Sequence, residues 1–353
     1  MASYADTLAA LPAFRNEVLL PQMEGPETPG AFAARGAFSA LASPATNIHA
    51  TGVGIRKKAG RYIPDENVIK LYVFNKLGPG DPGAPTVTDF DGVPVDVEEL
   101  PVQIIRGAGP AAAGFPQRQH VRPIVGGIST SPIDANFVGT LGCFLRRRRF
   151  GTEQIYALSN NHVFADVNSL PIGTLIVQPG PEAPAFATPQ ANVYARLSSF
   201  IPIQFPAGEL DPVANRFDAA IARVTDENLI QRGAMFGGIN YDPSRVRTPV
   251  PGMRVTKCGR TTGVTQGIVT ATNVDGLLVN YGTNQNPRLA AYNDTVEIVG
   301  TGGGPFSMPG DSGSVILEEN TGHPVALLFA GDGFTTTACA LGPLCRRLRA
   351  TPI

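Results

Sequence analysis

Ser312 stands in the run Pro309-Gly310-Asp311-Ser312-Gly313-Ser314, a hydroxyl between two glycines. A serine is a weak nucleophile near neutral pH until a base takes its proton. Flanking glycines let the backbone turn tightly and keep side chains away from its amides. In such a loop the N–H groups of Gly310 and Ser312 can converge on a developing oxyanion, and one donor of that kind lowers a barrier by about 3 kcal/mol. The chemistry to look for is acyl transfer through serine, and its next requirement is an imidazole.

Four histidines are available: His49, His120, His162 and His323. His120 falls in a proline-marked linker, His323 follows Thr321-Gly322 in a hairpin-like turn, and His49 lies in a separate N-terminal unit. His162 ends the strand-like run Tyr156-Ala157-Leu158-Ser159-Asn160-Asn161, which is a rigid way to aim a ring. An acid must then fix the tautomer of that ring. Asp218 directly precedes the small, apolar run Ala219-Ala220-Ile221-Ala222, whereas Asp211 and Asp226 precede no such strand. The α/β-hydrolase order of serine, acid, histidine does not fit. Only His323 follows Ser312, no helix follows the serine, and the fifth elbow position is Ser314 in place of glycine.

These groups must be held by rigid elements. With 40 glycines, 32 prolines and many short Val/Ile/Leu runs, the sequence predicts a turn-rich β protein. Helical spacing occurs at 8–20 and 31–42, with Pro21, Pro26 and Pro29 between. From Asn47 the pattern changes to strands at 48–56, 68–74 and 94–100. The expected organisation is a helical segment over 1–46, a small α+β domain over 47–105, a linker over 106–119 and a β-barrel domain over 120–353. Strands are expected near 139–145, 155–158, 219–224, 254–258, 267–272, 277–281, 294–299, 314–317 and 324–329, and a short helix over 341–350. Asp275-Gly276 reads as a hairpin turn, and Arg146 to Arg149 as a solvated hairpin tip.

The motifs LSNNHVF, DAAIA and PGDSGS together resemble the three catalytic motifs of chymotrypsin-like (trypsin-fold) serine proteases, in the chain order histidine, aspartate, serine. The stretches GTLGCFLRRRR…YALSNNHVFA, VQPG, DAAIARV, CGRTTGVTQG and LLFAGDG are similar to one branch. Its members are bacterial trypsin-like proteins related to the plant leaf-width regulator NARROW LEAF 1. The N-terminal GVGIRKK…VPVDVEEL resembles the small domain of that branch, so the likeness runs over residues 47–350. It implies a mainly β, chymotrypsin-like double β-barrel of two six-stranded barrels, with His162, Asp218 and Ser312 in the cleft and a small α+β domain ahead of them. It also implies a serine endopeptidase that needs no cofactor or metal. A peptide substrate would add as a strand along Phe329-Ala330-Gly331. Phe306 would line the pocket base and favour apolar side chains, or Asp332 would attract basic ones; the two stay open. Arg122-Pro123-Ile124-Val125-Gly126-Gly127 resembles a processed protease N-terminus that would pair with Asp311. The proline resists that cleavage and shifts the start by one residue, so an oxyanion loop formed without processing is expected.

A net charge of -1 gives no field for nucleic acid or an acidic membrane. No segment approaches the roughly 18 apolar residues of a bilayer span. The first residues lack a basic leader and a long apolar core, so they make a poor secretory signal. Cys143, Cys258, Cys339 and Cys345 form no CxxC pair, which suggests neither zinc nor a disulfide framework and makes the cytoplasm the default location. The expected partner is a protein or peptide substrate, with no nucleic acid and no membrane, and homo-oligomer formation is left open. The rival to a selective regulatory protease is a catalytically silent scaffold of the same fold.

Overall fold

The computed structural model describes residues 2–19, 47–78, 80–81, 84–105, 115–149, 151–182, 190–206 and 214–353. The expected helix over 31–42, the linker stretch 106–114 and Asp211 lie outside the described residues.

Six strands close on themselves in the C-terminal half. Arg254–Gly259, Gly263–Asp275, Thr295–Gly300, Thr335–Ala340, Pro324–Gly331 and Val315–Glu318 each pair antiparallel with the next, and the last pairs back with the first. Closure gives each of the six strands a neighbour on both sides, and Val255, Val269, Ile298, Phe306, Ile316 and Leu328 fill the barrel. The other half is an eight-stranded sheet. Its order is Thr351–Pro352, Phe144–Arg149, Thr152–Ser159, Ala220–Val224, Val193–Phe200, Leu175–Val177, Ser129–Pro132 and Gly139–Thr140. It wraps Phe144, Ile155, Phe164, Ile176 and Tyr194.

This is the chymotrypsin-like architecture, with one departure from the expected pair of closed barrels. The N-terminal half is a half-barrel, because its sheet ends in two-residue strands, Gly139–Thr140 and Thr351–Pro352, that do not pair with each other. The arginine run forms the outer part of Phe144–Arg149, paired with Thr152–Ser159.

The N-terminal residues join the C-terminal barrel directly. Helix Tyr4–Phe14 is capped reciprocally by Ser3 and Asp6, and it buries Leu11 and Phe14. Those side chains pack against Val53, Ile69, Leu71 and Val95 of three strands, Ile48–Lys58, Arg61–Val73 and Val93–Glu99. The first of these strands pairs antiparallel with Gly263–Asp275, so one sheet runs from the N-terminal strands into the barrel.

Asp275-Gly276 is not a hairpin turn. Gly276 has φ of 89°, and a Cβ there would stand 2.2 Å from the His49 carbonyl. The chain leaves the barrel at this bend because Asp275 is already paired with Thr51. It then forms a separate hairpin, Leu277–Asn280 with Leu289–Tyr292. A two-residue strand, Gln103–Ile104, bridges that hairpin and the barrel. It runs parallel to Leu277–Asn280 and pairs antiparallel with Gly331.

Candidate active site

The strand Thr152–Ser159 feeds a single helical turn, Asn161–Phe164, whose second residue is His162. The ring is almost fully buried. Its Nδ1–H donates to Asp218 Oδ2 at 2.6 Å, and the His162 amide donates to the other carboxylate oxygen at 3.2 Å. Two bonds to one carboxylate fix both the ring and the turn that carries it. Nε2 is buried and has no hydrogen-bond partner among the described residues. It is the nitrogen left to accept a proton.

Asp218 is completely buried at the entry to strand Ala220–Val224. Such a burial is costly unless the charge is paired and hydrogen-bonded. Besides His162, Asp218 Oδ2 accepts the Tyr281 hydroxyl at 2.8 Å, and Asn160 Nδ2 donates to the Asp218 carbonyl at 2.7 Å. Tyr281 follows the hairpin strand Leu277–Asn280, and its hydroxyl also meets that of Tyr292. Burial, with the Asp218 carboxylate next, pushes the Tyr281 phenol well above its usual range, so it stays a donor.

The serine loop is held by its carbonyls. Thr140 Oγ1 donates to Gly310 O at 2.9 Å, and the Thr140 amide donates to Ser312 O at 2.8 Å. Gly310 and Gly313 take φ of 98° and 95°, where a side chain would be strained. A Cβ on Gly313 would also stand 2.2 Å from Ser159 Oγ. With the carbonyls turned to Thr140, the amides of Gly310 and Ser312 have no acceptor among the described residues. Gly139 shows how closely the two halves meet. A Cβ there would lie 2.6 Å from a Val163 methyl and 3.1 Å from Ser312 O, so the turn bearing His162 and the serine loop approach across it. Ser312 is 8 % exposed, and its hydroxyl points to the Phe329 carbonyl at 3.5 Å.

Asp311 is fully buried and pinned. Its Oδ1 accepts the Thr261 and Thr262 amides at 2.7 and 3.1 Å, and Oδ2 accepts Thr262 Oγ1 and the Met308 amide at 2.7 and 2.9 Å. Lys257 Nζ, also fully buried, lies 3.5 Å away. Burial lowers the Lys257 pKa, and the Asp311 charge opposes that shift. Ile124 instead sits buried in a strand, Ile124–Gly126, parallel to Ile230–Met235.

A cavity of about 270 Å³ opens beside Ser312, lined in part by Ile104, Ser307, Met308, Ala330, Gly331 and Asp332. Phe306 does not reach it. Its ring is buried in the barrel core with Lys257 Nζ 5.7 Å from its centroid, and the neighbouring Pro305 and Ser307 face the cavity. Phe329 packs its ring on Tyr292 at 4.8 Å and turns only its carbonyl to the site. Asp332 lines the cavity, but its oxygens are engaged: Oδ1 by the Phe334 and Thr335 amides, Oδ2 by Gln103 Nε2 at 3.2 Å.

The other histidines are placed elsewhere. His49 is buried, stacked on Phe74 at 4.1 Å, and its Nε2–H donates to Leu100 O. His120 is exposed, and His323 Nδ1 lies 3.1 Å from the Asp242 carbonyl. Asp226 caps a short turn through the Asn228 amide. Sequence reasoning missed Tyr281, Thr140, Lys257 and Ile104. Only Lys257 carried a local signal, a charge on the inward face of the buried strand Arg254–Gly259.

A scan against protein-family models returns no match, and neither does a search of curated proteins. Among solved structures the chain is similar to Thermobifida fusca protease A, at 16 % identity and a TM-score of 0.43, over 65 % of this chain and 98 % of that one. It is similar to a glutamic acid-specific serine protease at 18 % identity and 0.42, over 65 % of this chain and all of that one. A third is Cellulomonas bogoriensis chymotrypsin, at 17 % identity and 0.42, over 65 % and 98 %.

Proposed function

We propose that this chain is a serine endopeptidase that hydrolyses peptide bonds through an acyl-enzyme, with His162, Asp218 and Ser312 as its triad. The observation that carries the reading is the buried His162–Asp218 pair, held at 2.6 Å, with Nε2 left free to take a proton. His162 Nε2 removes the Ser312 proton as Oγ attacks the peptide carbonyl, and the carbonyl π electrons move onto oxygen. The Gly310 and Ser312 amides receive that oxyanion. His162 then gives its proton to the leaving amine, the C–N bond breaks, and water repeats the sequence on the ester to free the acid and Ser312.

The Lys257–Asp311 pair supports a loop formed without N-terminal processing, because Asp311 already has its cationic partner inside the barrel. The motif likeness to the NARROW LEAF 1 branch fits a selective regulatory protease acting on a protein or peptide. Four buried cysteines without a disulfide among them suit a reducing cytoplasm. The silent-scaffold reading draws on one observation, the Ser312 hydroxyl turned toward Phe329 O. A staggered rotation about χ1 moves that hydroxyl at small cost, and catalytic hydrogen bonds commonly tighten only with substrate bound.

A fluorophosphonate probe tests the proposal. It should label the wild type once, and Ser312→Ala should abolish labelling. Equal labelling of both proteins would sink the assignment.

A further inference from the structure

Strand Pro324–Gly331 has two edges, and most of both are taken. Thr335–Ala340 covers one, reaching Gly331 through Thr336. On the other edge, Val315–Glu318 covers the strand as far as Leu327, and Leu328 is bonded to Gly313 and Ser314. Beyond Leu328 the register against Thr335–Ala340 shifts by a bulge, and the Phe329 carbonyl faces Ser312 Oγ. This second edge is where an added peptide strand brings its carbonyl to the serine. Its last position is already filled: Ile104 is the antiparallel partner of Gly331. Among the described residues, Phe329 and Ala330, between Leu328 and Gly331, have no strand partner on this edge.

We propose that strand Gln103–Ile104 confines recognition of the peptide to two residues on the acyl side of the scissile bond, with Ile104 standing permanently where a third would pair. This rests on the peptidase reading above. The residue opposite Phe329 carries the reacting carbonyl beside Ser312, and the residue opposite Ala330 precedes it. An antiparallel peptide reaches Gly331 with its third residue, and there it meets Ile104.

The blocking strand is anchored. Gln103 is fully buried, and its Nε2 donates to Pro101 O at 2.9 Å and to Asp332 Oδ2 at 3.2 Å. Its Oε1 accepts the Thr337 hydroxyl at 3.4 Å. Val279 and Asn280 pair with Gln103 and Ile104, and the Ile105 amide donates to Asn280 O. A substrate that displaced this strand would strip a buried amide of its partners, which is costly. Ile104 also lines the cavity beside Ser312, so the N-terminal strands shape the specificity of the site.

The test is a ladder of peptidyl diphenylphosphonates, randomised in sequence, equally capped, and carrying one to four residues. The readout is the rate of Ser312 modification by intact mass. The rate should rise from one residue to two and then stay level or fall. On an open edge the third residue would add two main-chain hydrogen bonds and return roughly tenfold. That gain in the wild type overturns the proposal, as does a second residue that adds nothing. Ile104→Pro removes the amide that faces Gly331 and should recover the gain from the third residue; a folded variant without it overturns the role of Ile104. A simple fluorophosphonate without a peptide reports the peptidase reading separately. If that probe labels Ser312, a failed ladder counts against the strand block alone; if it does not, both readings fall.

Discussion

The Tyr281 hydroxyl donates to Asp218 Oδ2, the oxygen that His162 Nδ1 also meets. A carboxylate buried between two donors keeps its charge directed at the imidazole. The tyrosine arrives on a hairpin that branches off the barrel at Gly276, and Phe205 packs edge-on against its ring. Phe329, whose carbonyl reaches the site, has no hydroxyl to offer, so this donor comes from elsewhere in the chain. Tyr281→Phe keeps the ring and deletes the donor. A hydrogen bond to a charged group contributes about 1.5–3 kcal/mol to stability, so the unfolding free energy should fall by about that much, and with the imidazole less firmly held, fluorophosphonate labelling should slow by at least roughly tenfold. Tyr292→Phe, one bond further out, should have a smaller effect. A labelling rate within about twofold of wild type in Tyr281→Phe would reduce the tyrosine to packing.

Lys257 and Asp311 make the corresponding test of the serine loop. Removing one partner of a buried ion pair leaves the other uncompensated, at about 3–5 kcal/mol. Lys257→Met should lower the unfolding free energy by that much, read from denaturant unfolding as an earlier midpoint. It should also slow labelling by about a hundredfold or more, the scale of a lost oxyanion donor. Lys257→Arg keeps the charge and should fall between. The wild type should be labelled with the residues before Ile124 still attached. Labelling found only in chains cut near Ile124 would show that a new terminus, and not Lys257, orders the loop.

The parts of this site legible in the sequence are those held by their neighbours in the chain. His162 is placed by the strand and turn that precede it, Asp218 by the strand that follows, Ser312 by its own glycines. The order of the three then selects the architecture. What supports them is not local. Thr140, Lys257 and Tyr281 meet Asp218 or the serine loop from distant parts of the chain; Thr140 and Tyr281 stand in no unusual local pattern, and Lys257 shows only as a charge on the inward face of a buried strand. Phe306 shows the reverse error. The family resemblance reaches the right loop but not the direction of the side chain. The largest apolar group in that stretch turned into the barrel, where Gly267 leaves room: a Cβ there would lie 2.7 Å from the phenyl ring. The bend at Gly276 has the turn chemistry of a hairpin, yet the N-terminal strand Ile48–Lys58 already pairs with Gly263–Asp275 and sends the chain elsewhere.

His49 links pH to the junction that carries Ile104. It sits on the strand joining the N-terminal residues to the barrel, and its Nε2–H holds the Leu100 carbonyl, three residues before Gln103. Burial lowers its pKa to about 4, although its bond to the Leu100 carbonyl opposes the shift. An unfolded histidine titrates near 6.5. Between those values the unfolded chain binds the proton and the folded one does not, so stability falls as pH falls. The contribution is complete above about pH 6.5 and spent near pH 4, roughly 3 kcal/mol in all. About 2 kcal/mol of it should disappear between pH 7 and pH 5. Urea unfolding of the wild type and of His49→Gln at those two pH values isolates the term. The variant should be less stable at pH 7 but should lose about 2 kcal/mol less on acidification. Equal losses in the two proteins would mean that His49 is protonated in the fold.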